Sequence, residues 1–173
     1  MVQKIDIYIS KLINQFTFNN KLISIFLTFI THTSSGKIYP FYVIIIPLLL
    51  PSDGIQIAKL GLLAFAFQVP IYMISKNIIK RTRPSIKHGV QQIIKPPDKY
   101  SFPSGHCASS ILFTLIINTY VPELTIYFVI WMVLVFISRI ALGLHYLTDA
   151  IAGLFLGIIS FYITTQIQHL FNL

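Results

Sequence analysis

Apolar residues run along this chain in blocks, each closed by a short cluster of charged or helix-breaking residues. Residues 4–16 mix Ile5, Ile7, Ile9, Leu12 and Ile13 with Lys4, Asp6, Ser10 and Lys11. That mixture predicts an interfacial amphipathic helix rather than a cleaved leader. Residues 21–31 are apolar but too short to cross a bilayer alone, since about 20 residues are needed. The loop Thr33-Ser34-Ser35-Gly36 follows, then a second block over 39–51 with Pro40, Pro47 and Pro51, then the turn Ser52-Asp53-Gly54. Residues 55–75 read as a full-length span interrupted only by Lys59, Gln68 and Pro70. Residues 76–105 break the pattern, being basic and carrying Pro84, Pro96, Pro97 and Pro103. Apolar blocks resume at 107–120, at 124–142 after the turn Pro122-Glu123, and at 147–168. The pattern predicts one all-α domain over 1–173, a polytopic membrane bundle of about six transmembrane or partly spanning helices. An open sheet is excluded, because its edge groups would lie unsatisfied in hydrocarbon.

Composition agrees with that reading and adds one asymmetry. The 173 residues are 55% hydrophobic and 10% charged, against about 25% charged in an average soluble domain. A disordered tail, a nucleic-acid arm and a disulfide-stapled secreted domain each need polar bulk or many cysteines. The single cysteine, Cys107, forms no intramolecular disulfide and reads as a small buried residue. Lys and Arg outnumber Asp and Glu by 13 to 5. Seven of those cations (Lys76, Lys80, Arg81, Arg83, Lys87, Lys95 and Lys99) fall in one segment whose only acid is Asp98. A concentrated cationic segment in an apolar protein points to an anionic partner.

Three clusters carry candidate chemistry. In Lys76-Asn77-Ile78-Ile79-Lys80-Arg81-Thr82-Arg83-Pro84, a continuing helix would set Lys76 and Arg83 about two turns apart on one face, able to hold one anion, with Pro84 as the stop. The same run also reads as the positive flank of a membrane helix. In Ser101-Phe102-Pro103-Ser104-Gly105-His106, Ser104 suits a helix N-cap, and Gly105 lets an oxyanion approach the free N–H groups of the helix start. His106 there is placed to donate a proton. In Ser138-Arg139-Ile140-Ala141-Leu142-Gly143-Leu144-His145-Tyr146-Leu147-Thr148-Asp149, Arg, His and Asp lie between two apolar spans, where they are costly and usually functional or paired. His145 and Asp149 are four apart, so the carboxylate can meet the imidazole edge and leave the other ring nitrogen as a base or nucleophile. If successive spans alternate in direction, all three clusters reach the same membrane face.

Together, Lys76-x6-Arg83-Pro84, Pro103-Ser104-Gly105-His106 and Ser138-Arg139-x5-His145-x3-Asp149 resemble the type 2 phosphatidic acid phosphatase superfamily. Its members include membrane lipid phosphate phosphatases and, more distantly, vanadium haloperoxidases. The motifs match at every defining position, in the family's order and spacing. The resemblance implies that His145 is the nucleophile, forming a phosphohistidine, that Asp149 orients it, and that His106 is the general acid. It implies that Lys76, Arg83, Ser104, Gly105 and Arg139 hold the phosphoryl oxygens. Phosphoryl transfer asks chiefly for positioning and for charge opposite the equatorial oxygens. Three cations and a helix N-terminus supply both, and with few acids available as ligands the expectation is catalysis with no metal and no cofactor.

The expected partner is a phosphorylated membrane lipid, with its tails left in the bilayer. Lys80, Arg81, Lys87 and Lys95 are candidate head-group residues, or only attract an anionic bilayer surface. The short length resembles compact bacterial members acting on lipid A, undecaprenyl diphosphate or phosphatidylglycerol phosphate. Lys4, Lys11 and Lys21 are expected on the face opposite the motifs, and the family implies an inner-membrane protein whose active site faces the periplasm or exterior. Transfer of the phosphoryl group to another lipid, and non-catalytic carriage of an anionic lipid, are the rival readings. A carrier needs the cations but not the two histidines.

Overall fold

The computed structural model describes residues 2–171, and every regular element among them is a helix, with no strand. Eight α-helices follow in order: α1 (Val2–Asn19), α2 (Lys21–Thr33), α3 (Tyr39–Leu49), α4 (Gly54–Ile79), α5 (Pro84–Lys87), α6 (Gly105–Tyr120), α7 (Thr125–Ala141) and α8 (Leu147–Phe171). A single 3-10 turn, Pro122–Leu124, joins α6 to α7. Three segments, Gly54–Lys87, Pro122–Ala141 and Leu147–Phe171, are long and apolar enough to cross a membrane. With α2, α3 and α6 they make the six apolar helices expected from the pattern. Large apolar side chains such as Leu22, Phe29, Leu48, Ile78 and Phe155 stay exposed along these helices. In a chain this poor in charge, that outer surface is the one lipid covers.

The centre of the bundle is the pair α6 and α8. A Cβ at Gly153 would stand 2.4 Å from the carbonyl oxygen of Ser104, and one at Gly157 would stand 2.3 Å from that of Ala108. The Gly153-x3-Gly157 stripe thus lets α8 lie directly on the backbone of α6, as small residues do between membrane helices. This contact fixes the start of α6 against the first turns of α8, where Ser104 N–H donates to the carbonyl of Asp149 at 3.0 Å. The apolar core around Ile57, Leu60, Ala64, Leu112, Ile116 and Ile117 then joins α4 to α6.

Helices α2 and α3 each cover part of the bilayer. Ile23 and Leu27 of α2 pack with Leu142 and Leu144, at the end of α7. Two turns deeper, the Thr33 hydroxyl accepts from the Trp131 indole N–H at 2.8 Å. The chain breaks there, and α3 continues to the turn at 50–53, which delivers it to the start of α4. At such depth, irregular backbone is tolerated where it lines a cavity; Ser34, Ser35, Gly36 and Lys37 of this break do so.

Helix α1 departs from the simple interfacial reading. Its buried stripe is polar (Asp6, Ser10, Asn14 and Thr17), while Ile5, Tyr8, Leu12 and Phe16 face outward. Asp6 accepts from the backbone N–H of Thr148 at 3.0 Å and from the Thr148 hydroxyl. Asn14 donates to the carbonyls of Gln91 and Ala141, each at 2.9 Å, and accepts from Gln91 N–H at 2.8 Å. The helix therefore lies along the face that carries the motifs, pinned by hydrogen bonds the hydrophobic pattern does not encode. As a consequence Lys4, Lys11 and Lys21 belong to that same face, not the opposite one.

Candidate active site

Arg83 and His145, 62 residues apart in the chain, meet at one point. The Arg83 guanidinium is fully buried; it donates to the Leu144 carbonyl at 2.5 Å and lies 3.4 Å from His145 Nε2. The route by which Arg83 arrives differs from the expectation. Helix α4 ends at Ile79, because Lys80 takes a left-handed conformation (φ 50°) and closes the helix with its N–H on the Lys76 carbonyl. Arg83 follows in extended backbone (φ −67°, ψ 152°) as the residue before Pro84, which opens α5 instead of stopping α4. The residue before a proline is driven to extended geometry. Lys76 and Arg83 thus converge through a chain reversal and not along one helical face.

What joins them is Asp98, a residue to which the sequence assigned no role. Its carboxylate accepts from Lys76 Nζ at 2.6 Å, from Arg83 Nη2 at 2.8 Å and from the Tyr72 hydroxyl at 2.8 Å. Its backbone carbonyl accepts from Arg83 Nε at 3.1 Å. The only sequence signal was its isolation as the single acid of a basic segment.

His145 is buried, and its Nδ1 lies 2.6 Å from the carbonyl oxygen of Ser101. A carbonyl can only accept, so Nδ1 carries the proton and Nε2 presents its lone pair beside Arg83. Asp149 stands 3.9 Å from Nδ1, beyond hydrogen-bond distance. The direct Asp149–imidazole bond expected from the four-residue spacing is replaced by the Ser101 carbonyl. Asp149 instead accepts from Tyr146 N–H at 2.9 Å and from Arg81 at 2.5 Å, fixing the turn that carries His145. Burial first, then the charges of Arg139, Arg83 and Lys76, hold the His145 imidazole well below its ordinary 6.5. It is therefore neutral at pH 7, with the Nε2 lone pair unprotonated. The turn itself requires Gly143, whose φ of 76° favours glycine and whose Cβ would stand 2.3 Å from the Gln91 carbonyl oxygen.

Arg81 is also reassigned. It binds Asp149 at 2.5 Å and Asp6 at 2.7 Å, and stacks over the Tyr146 ring at 4.2 Å. A cation held by two buried carboxylates is not free to take a lipid head group. Lys80, Lys87 and Lys95 are exposed on the connecting segment, and none of them lines the cavity described below. The lysine that does line it is Lys37, which the sequence reading left without a role.

Arg139 and Ser104 hold buried donors that the protein itself does not fully pair. Arg139 is buried and gives Nη1 to the Thr31 hydroxyl at 2.5 Å, while its Nε and Nη2 have no partner. Ser104 sits at the N-cap of α6, but its side chain makes no capping bond. Its buried hydroxyl finds no oxygen or nitrogen partner and has the Cys107 thiol, a weak one, beside it. Native interiors rarely strand such donors. Gly105, next in the chain, packs on Tyr72, whose ring carbon would lie 2.9 Å from a Cβ there.

A cavity of about 380 Å³ lies beside this cluster, lined by His106, Gly105, Asp98, Tyr72, Gln68 and the break at 34–37; Lys76, Arg83, Ser104, Arg139 and His145 are not among its lining residues. Through Gly36, Val69 and Ser109 it adjoins a second, apolar cavity of about 460 Å³ between α3 and α4. Tyr39, Ile46, Ile57, Leu62, Phe65 and Phe113 wall that second space. Among the described residues, no three His, Cys, Asp or Glu side chains gather as metal ligands.

Comparison with known proteins agrees with this architecture. An undecaprenyl-diphosphatase of Sulfolobus acidocaldarius is 31% identical over 117 residues, covering 64% of this chain and 56% of that protein. The chain thus spans just over half the length of that relative. The crystal structure of the transmembrane PAP2-type phosphatidylglycerolphosphate phosphatase from Bacillus subtilis superposes with a TM-score of 0.78 at 25% identity, over 97% of this chain and 86% of that one. LpxE of Aquifex aeolicus shares the fold, with a TM-score of 0.80 at 22% identity over 94% and 95% of the two chains. The family model described as the PAP2 superfamily matches residues 58–172, which contain all three motifs. The chain is an integral membrane protein that belongs to the PAP2 superfamily.

Proposed function

We propose that this protein is a metal-independent membrane lipid phosphatase acting through a phosphohistidine at His145. The observation that carries the reading is the unpaired set of buried donors, Arg139 Nε and Nη2 with Ser104 Oγ, in the motifs that also supply His145 Nε2. Such a set asks for an oxyanion. Membership in the PAP2 superfamily supports the same chemistry.

In this mechanism Nε2 of His145 attacks phosphorus, a P–N bond forms and the P–O bond to the lipid breaks. Burial and the neighbouring cations hold His106 neutral before substrate binds; the bound phosphate offsets those cations, so His106 takes up a proton with the substrate and gives it to the departing oxygen. It then takes a proton from water, which attacks phosphorus, breaks the P–N bond and releases inorganic phosphate. Lys76, Arg83, Arg139, Ser104 and the N–H groups at Gly105 hold the phosphoryl oxygens throughout. Asp149 acts on His145 through the turn and Arg81, as a positioning residue. The acids near the site are engaged with cations, Asp98 with Lys76 and Arg83, and Asp149 and Asp6 with Arg81; this supports a role for cations, not a metal, on the phosphate.

The adjoining cavities support a lipid substrate, its head group entering past Gly105, His106 and Asp98 of the polar one and its chain in the apolar one between α3 and α4. An isoprenyl diphosphate is the substrate we favour, since the Sulfolobus relative is an undecaprenyl-diphosphatase; lipid A and phosphatidylglycerol phosphate complete the panel. Purified protein should release phosphate from at least one of undecaprenyl diphosphate, lipid A, phosphatidylglycerol phosphate and phosphatidic acid, at undiminished rate in EDTA. Silence on the whole panel, or loss of activity on chelation, contradicts the proposal.

We place the site on the external face of the membrane, following the family and against the lysines, which gather on the motif face. Cys107 is buried, so a Lys95→Cys variant offers one exposed thiol beside the site. A membrane-impermeant maleimide should label it in intact cells. Labelling only after lysis would put the site on the cytoplasmic side.

A further inference from the structure

We infer that Asp98 is a resident anion of the phosphate cradle, competing with substrate and product for Lys76 and Arg83 and so setting how tightly phosphate is held. The inference rests on the reading of this site as a phosphate cradle. Its ground is geometric. The two carboxylate oxygens divide between the two cations, Oδ2 on Lys76 at 2.6 Å and Oδ1 on Arg83 at 2.8 Å. Tyr72 adds a third donor at 2.8 Å. Two oxygens of a phosphoryl group call for the same donors. Asp98 also lines the cavity with His106, and its side chain is 32% exposed there, while Lys76 and Arg83 are almost fully buried.

An acid in that position has a cost and a use. It cancels one of the three positive charges that face the phosphate, which weakens binding of every anion. A cradle of three unopposed cations in a low-dielectric site would hold inorganic phosphate after the reaction and turn over slowly. Asp98 also satisfies two buried cations while the cradle is empty, sparing the stability loss of unpaired charge. Burial raises its carboxyl affinity for protons, but Lys76, Tyr72 and Arg83 outweigh this and hold it below the ordinary carboxylate range; it is an anion at any working pH. The residue sits outside the helices, between α5 and α6, so its withdrawal breaks no helical hydrogen bonds.

The test compares the wild type with Asp98→Asn, which keeps shape and hydrogen-bonding capacity but removes the charge. Inhibition constants for inorganic phosphate and for vanadate are measured on the full chain in detergent, together with KM and kcat. The Asn variant should bind both anions about tenfold more tightly or better. KM should fall with them, and kcat should fall once phosphate release limits turnover. Tyr72→Phe removes one donor from Asp98 and one acceptor from Lys76 Nζ without altering charge, loosening the resident anion and freeing the lysine, and should shift both constants the same way by a smaller factor. This second variant carries the test if Asp98→Asn fails to fold. Unchanged or weaker anion binding in the variants overturns the inference, because loss of a merely structural contact would not tighten phosphate. A wild-type protein that binds neither anion overturns the cradle reading itself.

Discussion

Replacing His145 by alanine should lower phosphate release from the preferred lipid by about 10³-fold or more. The side chain is buried, and its unprotonated Nε2 faces Arg83 Nη1 at 3.4 Å. Neither Asp149 nor Ser104 can take its place: Asp149 is engaged by Arg81 and Tyr146 N–H, and Ser104 has no base held against it. Losing the bond to the Ser101 carbonyl and leaving a small void should cost about 1–3 kcal/mol of stability. The variant should therefore still purify as a folded protein, with a modest drop in Tm. Turnover at saturating substrate and thermal unfolding in the same detergent separate the two effects. A folded alanine variant that keeps about a tenth of wild-type turnover would remove His145 from the nucleophile's role.

The second large effect is expected from Arg83→Lys, a change that preserves charge. Arg83 uses all three nitrogens at once: Nε on the Asp98 carbonyl, Nη1 on the Leu144 carbonyl and Nη2 on the Asp98 carboxylate. A lysine offers one compact ammonium and cannot span those acceptors. Its terminal nitrogen would be drawn to Asp98, the only carboxylate of the three acceptors, leaving the carbonyl of Leu144 unpaired beside His145. Removing an oriented donor of this kind costs about 10²–10³-fold in kcat, and the unpaired buried carbonyl adds about 1–3 kcal/mol of destabilisation. The loss should appear in kcat more than in KM, since the positive charge that attracts substrate remains. A Lys variant with kcat within about twofold of the wild type would show that charge alone, and not the fork, is what the site needs.

These two residues also show how much of the site could be read from the chain. The three motifs announced His145, Arg83, Arg139, Ser104 and His106 because their spacing is local and their residue types are costly in a membrane. The convergence of the three segments followed from counting alternating spans, and Ser104 N–H on the Asp149 carbonyl realises it. Spacing misled where a helix was assumed to continue. Lys76 and Arg83 were placed on one helical face, yet Lys80 breaks α4 and the two cations meet only through Asp98. The His145–Asp149 spacing likewise suggested a direct bond, whereas a backbone carbonyl from Ser101 takes the imidazole proton. No residue-type signal can reveal a main-chain acceptor brought from another segment.

The helices were legible for a related reason. Blocks of apolar residues punctuated by prolines and polar turns located α2, α3, α4, α6, α7 and α8 to within a few residues. The polar stripe of α1 was present in the sequence as Asp6, Ser10, Asn14 and Thr17. The amphipathic pattern does not say what that stripe covers; in a membrane protein a polar stripe seeks protein partners and the apolar stripe faces lipid. Only the contacts of Asp6 with Thr148 and Arg81, and of Asn14 with Gln91 and Ala141, show which face it covers. Arg81 changed from a head-group candidate to a structural cation for the same reason, since its two acids come from opposite ends of the chain.

The central claim is that the reaction passes through a covalent bond between phosphorus and His145. Undecaprenyl diphosphate radiolabelled in its terminal phosphate should, on mixing and rapid quenching in alkali, leave protein-bound label that survives base and is released by acid. Peptide mapping should place that label on His145, and the His145→Ala variant should carry none. Absence of protein-bound label during active turnover, or label on any other residue of the wild-type protein, would contradict the account.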